Sequence, residues 1–194
     1  MARWDILWVN ASLATMVKGD IPYGLIKKGA IGVKDGLITF IGPMDKLGSL
    51  EDNPADTIIE LEGKTITPGL IDCHTHIIFG GNKANEFENR FKNKSNKDIS
   101  YKDVEIKSTV KSTRSSGKNS LLNSAIERAS YFTAGGVTTM EVKSGYGLTL
   151  SDEIKMLRVA RQLEEHLPLR IKTTFLGAHA IPEEYSEDRE GYIS

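Results

Sequence analysis

"GLIDCHTHIIFGGNKANEFENR" runs from Gly69 to Arg90, and its reading decides the fold. An apolar run ends in two histidines one residue apart, His74 and His76, followed by paired glycines and a cluster of charge. Alternate residues of a strand point to one face, roughly 6.5–7 Å apart along it. If the run is a strand, both imidazoles enter one cavity while Cys73 and Thr75 point outward. Two nitrogens at about 2.0–2.1 Å from one ion suit zinc or a similar divalent metal. The competing reading is a buried strand with two hydrogen-bonded histidines, because HxH alone is a weak motif.

Upstream of this stretch, residues 1–66 read as short strands rich in Ile, Val, Leu and Thr, separated by turns. "AIGVKDGLITFIG" has the pattern of a hairpin with Asp35-Gly36 at its turn. A small β domain is expected there, with nothing of catalytic character. Downstream, the pattern becomes strand, helix, strand, helix, strand. The first strand is Leu70 to Phe79, and a long polar segment follows it. A helix is expected from Ser120 to Phe132, with Ser120 as N-cap and Gly135-Gly136 as its end. "VTTMEVKSGYG" reads as the second core strand. The next helix runs from Ser151, as N-cap, to His166, and "LRIKTTFLGAHA" is the third strand. Alternation of this kind signals parallel βα units. A (β/α)₈ barrel takes about 250 residues, whereas positions 67–194 hold three core strands, so the chain is expected to be the front half of something larger.

The chain has 194 residues, 39% of them hydrophobic and 26% charged, with a net charge of −1. That balance fits a globular protein and argues against a nucleic-acid or membrane-surface partner. No apolar run reaches bilayer length and "MARWDILWVN" lacks a signal-peptide core. A single cysteine, Cys73, leaves no internal disulfide and suits a reducing compartment, so a cytoplasmic location is expected.

"TPGLIDCHTHIIFGG" is similar to the metal-binding strand of the amidohydrolase superfamily. Together with "EFENR", "GVTTMEVKSGYGL", "KMLRVARQL" and "TTFLGAHAIPEEY", it resembles the imidazolonepropionase family, the ring-opening hydrolases of histidine degradation. The resemblance covers nearly all of this chain but only about half of a family member. It implies a partial (β/α)₈ metallo-dependent hydrolase barrel, its first three βα units in residues 67–194. A small β-sandwich-like domain in residues 1–66 would precede it. By the same resemblance, His74 and His76 are ligands of a divalent metal, zinc or iron. Tyr146 of "KSGYG" and His179 of "FLGAHA" contact substrate, each just past the end of a strand. Without the resemblance, Tyr146 reads equally as a packed turn residue and His179 as a hydrogen-bonded core histidine.

The sequence departs from the family at two places. Lys83 stands where the family carries an arginine that pairs with the substrate's propionate; lysine keeps the charge but loses the bidentate fork. Asp103, Val104 and Glu105 replace a glycine-rich run, and a loop needing positive φ would be strained by them. His166 reads as a structural residue at a helix C-terminus. Asp72, Glu141 and Lys143 receive no role, and "KSNKDISYKD" reads as a solvated face.

The implied reaction is opening of 4-imidazolone-5-propanoate to N-formimidoyl-L-glutamate, by attack of a metal-activated water on the ring carbonyl. The family's remaining ligands and its acid–base groups come from later strands, so no catalytic group is expected in this half, and the chain alone is expected to be inactive. The full-length protein is expected to be a homodimer. Three other readings are another amidohydrolase (a deaminase or cyclic-amide hydrolase), a non-catalytic truncated chain, and a complementing half that pairs with a separately encoded second half.

Overall fold

The computed structural model describes residues 3–48, 50, 54–82 and 100–194, the side chains of 100–105 excepted. The described residues form two compact units, Met1–Pro68 and Gly69–Ser194.

The first unit is built on one mixed five-stranded sheet. Its strands are β1 (Trp4–Ala14), β2 (Leu25–Lys34), β3 (Leu37–Pro43), β4 (Ala55–Glu60) and β5 (Thr65–Ile66). The order is β3-β2-β1-β4, and β5 also pairs with β1. β1 is antiparallel to β2 and parallel to both β4 and β5. On β1, Trp4 and the alternating pair Leu7 and Val9 enter a cluster with Ala30, Leu47 and Ala55. A bulge between Trp8 and Ala11, with Asn10 at φ 54°, shifts the register. Beyond it Ala11 and Leu13 pack with Ile31 instead. The hairpin between β2 and β3 turns at Asp35 and Gly36, whose φ values of 51° and 74° make the primed turn that Asp-Gly favours.

The second unit has three parallel strands in the order β6-β7-β8: β6 (Leu70–Thr75), β7 (Val137–Lys143) and β8 (Arg170–Thr174). Helices α1 (Ser100–Ser115) and α2 (Lys118–Ala134) lie between β6 and β7 in sequence, and α3 (Leu150–Gln162) lies between β7 and β8. A short helix, α4 (Arg189–Ile193), ends the chain. Leu121, Ala125 and Ala129 on α2, with Met156, Val159 and Ala160 on α3, recur at helical spacing. They bury themselves against Met140 and Val142 of β7 and Ile171 of β8. Alternate residues of β7, Glu141 and Lys143, therefore emerge on the opposite face of the sheet.

Several boundaries differ from expectation. β6 stops at Thr75, so His76 lies just beyond it. α2 begins at Lys118, and its N-cap is Gly117, three residues before the expected Ser120, which places Ser120 inside the helix. Thr149 rather than Ser151 caps α3, its hydroxyl accepting the Asp152 N–H. Residues 103–105, read as the site of a strained loop, lie in α1, where negative φ is ordinary for Asp, Val and Glu. Residues 93–99 of that segment lie outside the described residues. Among the described residues no helix is long and apolar enough to cross a membrane.

Candidate active site

β6 delivers its two histidines through a bulge. Asp72 pairs with Met140 and Thr75 with Val142, three steps on one strand against two on the other. The Asp72 carboxylate accepts the N–H of His74 at 3.1 Å and steadies the extra residue. The bulge breaks strict alternation: Thr75 turns inward, and its hydroxyl donates to the Glu141 carbonyl at 2.7 Å. Cys73 is exposed. His74 and His76 still converge, with ring centroids 5.5 Å apart and planes at 58°.

Two further rings close on His76. His179 stacks on it at 5.0 Å and 23°, and Tyr146 lies 5.3 Å away. Tyr146 and His179 meet edge to face at 6.0 Å, and Phe79 reaches Tyr146 at 6.4 Å. Four residues singled out from the sequence, His74, His76, Tyr146 and His179, thus come together at the C-terminal ends of β6, β7 and β8. Lys83 falls outside the described residues. His166 is exposed and ends a 3₁₀ turn, its N–H on the Leu163 carbonyl.

The segment after His76 is held from α2. Arg128 donates to the carbonyls of Ile77 and Phe79, each at 2.9 Å, and of Gly81 at 3.2 Å. Its guanidinium also lies 3.4 Å over the Phe79 ring.

Sequence reasoning missed Glu141. Burial pushes its carboxyl pKa up, but hydrogen bonds from Lys143 and Thr174, with the charges of Lys143 and His74, outweigh that and hold it below its ordinary value. Lys143 Nζ lies 2.6 Å from Glu141 Oε1, and the pair is largely buried. The available signal was two charged residues at i and i+2 in "MEVK", on the face that Met140 and Val142 leave free.

Two imidazoles bound to one ion at about 2.0–2.1 Å place their centroids roughly 5 Å apart, so His74 and His76 fit as two ligands of a shared metal. Among the described residues no group of three or more His, Cys, Asp or Glu is placed to hold one. Catalytic zinc sites take three protein ligands, so these two histidines alone do not complete one.

No family model matches the chain. The chain is 47% identical to an imidazolonepropionase of Colwellia psychrerythraea (strain 34H) over 98% of its own length and 46% of that protein. An imidazolonepropionase of Shewanella sp. (strain W3-18-1) matches at 47% over 98% of this chain and 47% of its own length. The chain therefore spans about half the length of the curated relatives it matches. In fold, it superposes on 5-methylcytosine deaminase from Klebsiella pneumoniae, solved with 5-fluorocytosine, at a TM-score of 0.57 and 15% identity. That match covers 88% of this chain and 36% of the deaminase. Atrazine chlorohydrolase from Arthrobacter aurescens, solved in complex with zinc, gives 0.54 at 14%, over 88% of this chain and 35% of that one. In sequence the chain is similar to about half of imidazolonepropionase, and its fold is similar to those of the deaminase and the chlorohydrolase.

Proposed function

We propose that the protein acts, at the full length of its relatives, as a metal-dependent hydrolase that opens 4-imidazolone-5-propanoate to N-formimidoyl-L-glutamate. The observation that carries this reading is the convergence of His74, His76, Tyr146 and His179 at one end of the parallel sheet, in a chain 47% identical to imidazolonepropionase. His74 and His76 hold the metal, zinc or iron, with the remaining ligands and the acid–base groups supplied by later barrel strands of the (β/α)₈ fold. A divalent ion there supplies Lewis acidity toward a carbonyl oxygen and lowers the pKa of water toward about 7. Tyr146 and His179 line the substrate's side of that centre: the phenol offers a hydrogen bond and the imidazole a flat face for a five-membered ring. Lys83 neutralises the propionate as a point charge. Residues 1–66 form the small β domain and 67–194 the first barrel units. The full-length protein is a cytoplasmic homodimer.

Taken by itself the 194-residue polypeptide is expected to be inactive, because among the described residues no third donor joins His74 and His76 and a catalytic zinc centre takes three. The test is direct. Full-length protein from the source locus, loaded with zinc or ferrous iron, should consume 4-imidazolone-5-propanoate, and the 194-residue chain should not. Turnover of a nucleobase in place of the imidazolone would reassign the protein to another amidohydrolase activity. An intact native mass equal to 21.4 kDa would favour a non-catalytic chain.

A further inference from the structure

Tyr146 is carried by the turn Ser144–Leu148, outside any strand or helix. The turn is conformationally expensive. Gly145 has φ 117° and Leu148 has φ 53°. The left-handed region is unfavourable for a residue that carries a side chain. Something must over-determine this backbone for it to persist.

That agent is Glu153, in the first turn of α3. A carboxylate there ordinarily faces solvent and complements the helix dipole. Glu153 is instead 1% exposed. Its Oε2 accepts the N–H of Gly145 at 2.6 Å, and its Oε1 accepts those of Gly147 and Leu148, both at 2.7 Å. Three charge-assisted bonds offset the desolvation of the buried charge. From the α1 side, Arg114 Nε donates to the Gly147 carbonyl at 2.7 Å, and its Nη2 pairs with Glu184 at 2.8 Å. The turn also sets His179. A Cβ on Gly145 would lie 3.0 Å from the His179 Cβ, and the Ser144 hydroxyl accepts the Leu176 N–H at 3.0 Å.

We propose that Glu153 is a positioning residue: by gripping three peptide N–H groups of the 144–148 turn, it fixes Tyr146 against His76 and His179. Its relevance to catalysis rests on Tyr146 and His179 contacting substrate, but the geometry does not.

The test therefore uses NMR on the 194-residue chain carrying Ile71→Lys, which charges an exposed position on the edge strand and limits association, without metal or substrate, and stays informative even if no imidazolone is ever hydrolysed. In this parent chain, the Gly145, Gly147 and Leu148 amides should exchange slowly despite lying outside regular structure, and the Tyr146 and His179 ring protons should show a mutual NOE. Glu153→Gln replaces one acceptor oxygen with an N–H₂ aimed at donors. It should speed exchange of the three amides at least about 10-fold and abolish the NOE, while the Met140 and Ile171 amides keep their protection. A folded Glu153→Gln chain that retains the NOE overturns the proposal. If that variant does not fold, the parent chain decides: protected turn amides support the assignment, and amides exchanging at the unstructured rate refute it.

Discussion

The imidazole of His179 is stacked on that of His76, 5.0 Å between centroids and 23° between planes, although 103 residues separate them in sequence. The contact joins the residue just past β6 to the segment after β8. It also separates two roles for His179, packing and polar recognition. His179→Phe keeps a ring on His76 but loses both nitrogens. In the full-length protein KM should rise about 5-fold with little change in thermal midpoint, because one hydrogen bond is worth about 1 kcal/mol. An unchanged KM would return His179 to packing alone.

The convergence of His74 and His76 predicts weak but specific metal binding even by the 194-residue chain. Titration calorimetry with zinc should give one site per chain, and His76→Ala should weaken it at least about 10-fold, the lower range seen for losing mere supporting groups around a metal. Equal affinity in wild type and variant would remove these histidines from the centre.

Arg128 serves three carbonyls and stacks on Phe79. Lysine in its place keeps the charge but not the planar fork. Arg128→Lys should destabilise the second unit by about 1–3 kcal/mol in urea unfolding, the cost of leaving partly buried carbonyls unpaired. Thr113 offers a neutral counterpart. Its buried hydroxyl donates to the Thr109 carbonyl at 2.8 Å and accepts the Gly80 N–H at 3.0 Å. Thr113→Val should cost a similar amount, and Thr113→Ser much less.

Glu141 and Asp152 both hold carboxyl pKa values below their ordinary 4.5 and 3.8, with burial opposing and hydrogen bonds from Lys143 and Lys155 prevailing. Each group binds its proton less readily folded than unfolded. Their contribution is therefore complete above the ordinary carboxylate range and fades as pH falls through the depressed folded values. Unfolding midpoints should drop progressively as pH falls below about 5. Asp152→Asn, which removes one of the two titrations, should make that drop shallower.

β6 and β8 each leave one edge unpaired among the described strands, and Ile71 and Phe175 are 70% and 55% exposed. Such edges and apolar surface invite association. Light scattering on the 194-residue chain should show oligomers at micromolar concentration, reduced by Ile71→Lys. A monodisperse monomer would contradict this.

The hairpin at Asp35-Gly36 was legible because Asp-Gly specifies a turn locally, and the two helices of the second core because their apolar stripes repeat at helical spacing. α1 was not legible: its apolar residues are too sparse to mark a face, and it sits in a polar run that reads as loop. The cap of α3 fell to Thr149 because two hydroxyls stand two residues apart and only geometry chooses between them. His74 and His76 could be picked out by their chemistry and spacing, whereas Tyr146 and His179 stood out only through the family resemblance. Glu153 and Arg114 could not, since both act on peptide groups and no spacing in the sequence records that.

The bulged pairing of β6 with β7 has a consequence for how the site forms. Leu70 meets Val137 across 67 residues, whereas Thr139 meets Arg170 across 31. Closing the longer loop costs about 0.7 kcal/mol more chain entropy. In refolding followed by pulsed exchange, Met140 and Ile171 should gain protection before Asp72. The histidine-bearing strand then docks last, so a chain caught midway through folding already has its hydrophobic core and still has no place for a metal.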